Sequence, residues 1–329
     1  MNSVLKKIAC ALLPLLLAAC TMEVLPQEEG DSFSAGIEDG GKTYIDPDLK
    51  VRWHAGDKVS IFDSGKTNAS YYFAGADGDV SGTLKRESTG SSGEGPYVAV
   101  YPYRSTTSMM SDGTIRLGIQ SKQTWTPGSF GQGAGVMVAS STGNELHFRN
   151  LCGALVLRFT GSSEAISSLT LRGNGGEALA GTALISLTDG IPTATFASGG
   201  TSASLKLTCD TPVSLGDEAA EFWFALLPMT FQHGFTVTLT GVSGRTEDFS
   251  TSKTIEIKRN SVARMAPQTV DFITPDAVVL GEPLPLWRPG WLDIHGINGG
   301  RGEAFYYIMP DGTTMVVDAA GAPPHELYD

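Results

Sequence analysis

Between Val51 and Ile273 apolar and polar residues alternate with a period of two, in short interrupted runs. That alternation leaves few folds open. Successive side chains of a strand point to opposite faces, so each run can bury one face and expose the other. The runs VSIF, YVAVYPY, TIRLGI, ALVLRF, SLTLR, TALISLT, SLKLTC, EFWFALLP, FTVTLTGV and TIEIKR are rich in Val, Ile, Thr, Tyr and Phe, the residues that fit a pleated surface. Between them GADGDVSG, STGSSGEG and RGNGGEALAG supply turn residues. No segment carries a 3.6-residue apolar stripe, so helices are not expected. Many short strands at this spacing predict antiparallel β-sandwiches. The 329 residues are too many for one small sandwich and suit two. The expectation is an all-β chain with an N-terminal sandwich at 43–163 and a second at 164–273, divided near Gly161–Ile166.

Local chemistry supports strands over sites. In WHAGDKVSIF, Gly56-Asp57 predicts a turn under the aromatic anchor Trp53, followed by a half-buried strand from Val59 to Phe62. YVAVYPY and FWFALLP end in Pro, which cannot donate to a ladder and so stops it. GIEDGGKT, Gly36 to Thr43, fits a phosphate-binding G-x-x-x-x-G-K-[ST] spacing. That chemistry needs a strand before it and a helix after it, and YIDPDLK with Pro47 follows instead. GNGGEA, Gly173 to Ala178, has dinucleotide-like glycines but leads into the strand-like LAGTALISL, which reads as a hairpin or bulge. His54, His147 and His233 are scattered and read as surface or packing residues, and no cysteine or histidine cluster has zinc spacing. No cofactor is expected. Cys152 and Cys209 sit in strand-like runs, where a buried free thiol is commoner than a bridge, although outside the cytoplasm a disulfide is possible.

The N-terminus has Lys6 and Lys7, an apolar run from Ile8 to Leu17, and then small residues. This is a secretory signal, too short to span a bilayer. Leu17-Ala18-Ala19-Cys20 resembles a bacterial lipobox, which implies cleavage before Cys20 and its acylation, with residues 1–20 as the signal. Several acyl chains on one cysteine give lasting attachment, at about 0.8 kcal/mol per buried methylene. Residues 21–42 are acidic, Gly-rich and poor in apolar groups, and are expected to be a flexible tether. Glu23, Glu28, Glu29 and Asp31 close behind the lipid resemble the acidic export signals of surface lipoproteins in some Gram-negative commensals, or simply a solvated linker. A formal net charge of −12 argues against nucleic acid and anionic membrane surfaces as partners.

Several stretches in order resemble the fimbrillin family, the Mfa-like proteins of type V pili and related surface lipoproteins. They are WHAGDKVSIF, YVAVYPY, IRLGIQSKQT, VMVAS, LHFRNLCGALVLRF, EALAGTALISL, EFWFALLPMTFQHGFTVTLTG and RNSVARMAPQTVDF, together covering about residues 30–273. The resemblance implies two transthyretin-like β-sandwiches on an outer-membrane lipoprotein at the cell surface, serving adhesion or pilus assembly without enzymatic activity. It implies partners of three kinds: the membrane through its lipid anchor, pilin subunits by strand exchange, and ligands on host or bacterial surfaces. Strand exchange in that family follows a cut after an arginine. Arg52 is the arginine of the mature N-terminal stretch and so the candidate maturation site, set against the plainer reading of a surface arginine beside a strand. A third function, glycan binding, would use Tyr101, Tyr103, Trp125 or Trp223 as stacking platforms, although core packing is the commoner use of such residues.

Residues 274–290 are a Pro-rich linker. After them LDIHGIN, AFYYIMP and TMVVDA read as strands, with Pro310-Asp311-Gly312 as a hairpin turn. This resembles the opening of metallo-β-lactamase-fold hydrolases, with Asp318 at the family's Asp-Ala-Gly corner and Ala320 inserted before Gly321. The family's H-x-H-x-D-H zinc loop is absent, and His295 and His325 cannot form a site that needs about three protein ligands. Residues 291–329 are therefore expected to be a truncated, metal-free piece of that fold. The alternative function is a lipoprotein hydrolase whose catalytic part lies outside this sequence.

Overall fold

The computed structural model describes residues 32–38, 52–161, 164–272, 287, 289–298 and 303–317. These residues are strands, turns and loops without a helix. The chain forms two compact units, Met1–Phe272 and Ile273–Asp329.

Seven strands of the first unit close a barrel in the order β1 (Ser32–Ile37), β11 (Glu145–Asn150), β10 (Met137–Ser141), β5 (Tyr97–Tyr101), β2 (Lys58–Phe62), β3 (Ala69–Phe73) and β4 (Ser81–Arg86), with β4 pairing back onto β1. Inward residues Phe33, Trp53, Tyr71, Phe73, Tyr101 and Phe148 fill it. Trp53 is fully buried, stacked on Phe73 at 5.2 Å and set edge-on to Phe148 at 5.2 Å and Tyr101 at 5.7 Å. The predicted turn is present: Gly56 takes φ 79°, a left-handed conformation that suits glycine, and Asp57 N–H donates to His54 O at 3.1 Å. The strand after it differs from the expected half-buried one. Every residue of β2 from Val59 to Phe62 is buried. Val59 and Ile61 face the barrel core, while Phe62 faces a second layer.

That layer is the sheet β15 (Ile191–Phe196), β14 (Gly181–Thr188), β7 (Ile115–Ile119) and β6 (Ser108–Met109). Ile115, Leu117, Ala183 and Ile185 share a cluster with Phe62, Val100 and Val138 on the outside of the barrel. A third core lies between two further sheets. One is β20 (Thr246–Thr251), β19 (Phe235–Gly241), β13 (Ile166–Gly173), β16 (Ser204–Val213), β8 (Lys122–Thr126) and β9 (Ser129–Phe130). The other is β17 (Ala220–Leu226), β12 (Gly153–Gly161) and β22 (Val262–Arg264), with β23 (Gln268–Val270) also on β12. Leu155, Leu157 and Phe159 meet Leu169, Leu171, Leu205 and Leu239 there. At Gly153 a Cβ would collide with Lys258 O, so the chain passes where only glycine fits. A short pair, β18 (Met229–Phe231) with β21 (Ile255–Ile257), completes the unit.

Two expectations need correction. Residues 32–37, placed in the flexible tether, are strand β1, and Phe33 and Ala35 are 2% and 0% exposed. The S-F-S-A-G-I alternation is short and surrounded by acidic residues, but ladders on both of its edges hold it. The remainder of 21–42, apart from Glu38, lies outside the described residues. The line at 163/164 does not follow the cores. Five strand pairs cross it: β7–β14, β8–β16, β12–β17, β12–β22 and β12–β23. The barrel core ends at Phe148 and the next begins at Leu155. The division near Gly161–Ile166 falls between β12 and β13, whose inward residues share one core.

The second unit contains a three-stranded antiparallel sheet, β24 (Asp293–Asn298), β25 (Glu303–Ile308) and β26 (Thr314–Val317). These are the strands read from the sequence. The hairpin turn is held by Gly312 N–H to Met309 O at 2.8 Å and by the Asp311 carboxylate, which accepts from Thr313 N–H at 2.9 Å. Ile294, Met315, Val316 and Val317 are exposed by 42–60%. Residues 318–329, with Asp318, Ala320 and His325, lie outside the described residues.

Candidate functional site

The strand that completes the barrel is bonded along both edges. β1 runs parallel to β11, from Ser34 opposite Glu145 to Ile37 opposite Phe148. On its other edge it runs antiparallel to β4, from Ser32 opposite Lys85 to Gly36 opposite Ser81. Phe33 packs edge-on against Tyr71 at 5.4 Å and Tyr97 at 4.8 Å. A strand bonded on both edges with its side chains in a core is a strand-sized plug.

A polar clasp locks the end of that plug. Glu38 N–H donates to Phe148 O at 2.9 Å. Its Oε1 accepts from Arg259 Nη1 at 2.6 Å and from Asn150 N–H at 3.1 Å. Arg259 Nη1 also donates to Asn150 O at 2.8 Å, and Asn150 Nδ2 donates to Asn260 Oδ1 at 3.0 Å. Asn260 takes φ 57°, a conformation that Asn tolerates, and its N–H reaches Cys152 O at 2.9 Å. Glu38 and Arg259 are 23% and 28% exposed, so the pair is partly shielded from solvent. These four residues escaped the sequence reading because Glu38 and Arg259 are 221 positions apart.

Arg52 lies beyond the undescribed residues 39–51 and is half-buried. Its Nη1 donates to Gly78 O at 3.4 Å. The next residue is tied on both backbone groups, Trp53 N–H to Asp79 O at 2.9 Å and Gly78 N–H to Trp53 O at 2.9 Å. A protease must draw the Arg52–Trp53 peptide out of this pairing before cutting it. Cys20 lies outside the described residues.

The other sequence candidates separate. Trp223 is buried at 2% and its indole N–H donates to Glu221 Oε2 at 3.1 Å. Glu221 also pairs with Arg264, and lies 3.6 Å from Arg158 Nε. Tyr101, at 2% exposure, donates to buried Asp57 at 3.2 Å, where Gln132 Nε2 also donates at 2.7 Å. Burial and the Asp57 charge push the Tyr101 phenol well above its ordinary pKa, so it stays a neutral donor. Trp125 donates to Glu221 O at 2.9 Å and packs on Phe222. Tyr101, Trp125 and Trp223 are therefore engaged in packing, while Tyr103 borders an open groove. The glycine-rich stretch at Gly173 forms a turn closed by Glu177, which accepts from Gly175 N–H at 3.0 Å and Gln232 N–H at 3.2 Å. Cys152 and Cys209 are unpaired buried thiols, each pushed up to about 11 by burial. Among the described residues no three His, Cys, Asp or Glu side chains gather as a metal site.

No protein-family model and no curated protein matches this sequence. Solved structures do match. A candidate cell adhesion protein from Bacteroides ovatus ATCC 8483 is 12% identical, with 72% of this chain and 91% of that chain covered and a TM-score of 0.45. A candidate cell adhesion protein from Bacteroides uniformis ATCC 8492 is 18% identical, with 68% and 90% covered and a TM-score of 0.37. The tip fimbrial protein Mfa3 from Porphyromonas gingivalis, truncated at its C-terminus, is 10% identical, with 67% and 80% covered and a TM-score of 0.24.

Proposed function

We propose that this chain is a non-enzymatic lipoprotein of the cell surface, acting in adhesion or pilus assembly through an exchangeable strand. The observation that carries the reading is β1: a discrete strand with ladders on both edges and Phe33 and Ala35 in the barrel core. Removing it would leave a groove with two unpaired edges and an apolar floor. A strand from a neighbouring subunit could fill that groove by β-augmentation, with main-chain bonds giving affinity and alternate side-chain pockets giving specificity. In this reading Cys20 carries the anchor, Arg52 is the cut that frees β1, and the Glu38–Arg259 clasp holds β1 until then.

The test is digestion of the folded protein with an arginine-specific protease, followed by N-terminal sequencing and size-exclusion chromatography. A cut after Arg52 with new higher oligomers is expected, and Arg52→Gln should abolish both. A cut product that stays monomeric, or no cut under native conditions, overturns the exchange reading. Cys20→Ala tests the anchor separately: the variant should leave the detergent phase, and normal processing with membrane retention would remove the lipid from the account.

A further inference from the structure

A cleft of about 300 Å³ opens where three parts of the first unit converge. They are the loop after β5, the β7–β8 segment and the turn before β10. It is lined by Arg104, Gln120, Lys122, Thr124, Gln132 and Thr208, among others. A second, more open groove bordered by Tyr103 shares Arg104, Ile119 and Gln120 with it. The chain carries 35 acidic against 23 basic residues, yet among the described residues neither lining contains an Asp or Glu. Arg104 and Lys122 make the described lining cationic, while the nearby Asp57 carboxylate is buried behind Gln132, which donates to it at 2.7 Å.

Arg104 is the unusual member. It is half-buried, and its Nε is enclosed without a hydrogen-bond partner among the described residues. Burial lowers its pKa, and nearby Tyr101 opposes that shift only in part. A guanidinium stays charged in a protein, and an enclosed donor left unpaired costs free energy. Its planar fork matches a carboxylate bidentately. Apart from Lys122, the rest of the described lining is neutral and includes the amides of Gln120 and Gln132 and the hydroxyls of Thr124 and Thr208, the kinds of group that exchange hydrogen bonds with sugar hydroxyls. Its volume sits near the lower end of ligand cavities, roughly 300–1,000 Å³, which suits one small unit.

We infer that this cleft binds a carboxylate-bearing saccharide unit, a hexuronic acid, with Arg104 gripping the carboxylate, Lys122 on the rim, and the amide and hydroxyl side chains meeting the ring hydroxyls. The inference does not depend on strand exchange, because no residue of β1 lines the cleft.

Calorimetric titration of the full chain in mild detergent tests it, with glucuronate, galacturonate, glucose and acetate as probes. A hexuronate should bind at least about tenfold more tightly than glucose or acetate, a difference of about 1.4 kcal/mol. Binding should weaken as salt is raised, because an exposed charge such as Lys122 is screened. Arg104→Gln and Lys122→Glu should each weaken binding about tenfold, a change of about 1.4 kcal/mol. Lys122 is exposed, so its variant reports even if Arg104→Gln fails to fold. Equal binding of glucose, equal binding of acetate, no hexuronate binding at 10 mM or so, or an unchanged affinity in Lys122→Glu with Arg104→Gln either folded and unchanged or unfolded, would each overturn the inference.

Discussion

Near both ends of the described first unit, the chain returns to a neighbouring strand in parallel: β1 to β11, and β22 with β23 to β12. The two additions are held differently. β1 is continuous over six residues and bonded on both edges. β22 and β23 are three residues each and bonded to β12 on one edge. The break between them contains Pro267, which has no N–H to give. β1 sends Phe33 and Ala35 into its core, while β23 contributes Val270, followed by Phe272. The difference shows what makes an added strand structural: a second ladder and an unbroken alternation, more than the direction of pairing. The Glu38–Arg259 clasp joins the two additions beside the β11–β12 junction.

The largest effect should come from the two-edged strand. Phe33→Ala removes an aromatic side chain 2% exposed and in contact with Tyr71 and Tyr97. It should cost about 3–5 kcal/mol by denaturant titration. Val270→Ala, at the one-edged addition, should cost about 2 kcal/mol. Amide exchange should sharpen the contrast, with the β1 amides opening only with the barrel and those of β22 opening locally. Equal costs and equal protection would break the comparison.

A middle-sized effect belongs to the clasp. Arg259→Ala strands the Glu38 carboxylate and leaves Asn150 O without that donor. The side chains are only 23% and 28% exposed, so solvent replaces the bonds incompletely. The expected cost is about 2 kcal/mol, the range of hydrogen bonds to charged groups. A double-mutant cycle with Glu38→Gln should show coupling between the two sites. If the clasp restrains β1, Arg259→Ala should also speed cutting at Arg52; unchanged cutting would confine the clasp to stability.

What could be read in advance followed from local pattern. The Trp53–Asp57 turn and the three C-terminal strands were visible because their signals lie within a few residues. Three things were hidden by tertiary context. β1 sits in an acidic stretch whose composition outweighed its alternation. β8 carries Gln123 at an inward position, which hides the apolar face. The structure explains it: the Gln123 amide donates to Ala225 O at 2.7 Å and accepts from Ala225 N–H at 3.0 Å, completing the outer edge of β17. β12 falls at the end of the expected first half, yet its residues Leu155, Leu157 and Phe159 belong to the third core, with β13. The clasp and the Arg104 cleft gather residues from distant segments, and pairing across such separations leaves no mark in one sequence.

The smallest effect should come from removing residues 273–329. Alternation predicts strands equally well in the first unit and in β24–β26, but burial differs. Among the described residues the four apolar clusters end at or before Phe272. In β26 every residue is exposed, including adjacent Met315, Val316 and Val317, which point to opposite faces. A strand exposed on both faces draws little stability from apolar burial. Deleting 273–329 removes no described member of the four clusters, so the unfolding free energy of the remainder should stay within about 0.5 kcal/mol. Thermal and denaturant melts of the two lengths should superimpose. A loss of several kcal/mol would mean that the first unit depends on apolar surface supplied by the second. Phe33→Ala should cost the same in either length, since the described members of the barrel core it disrupts run from Phe33 to Phe148.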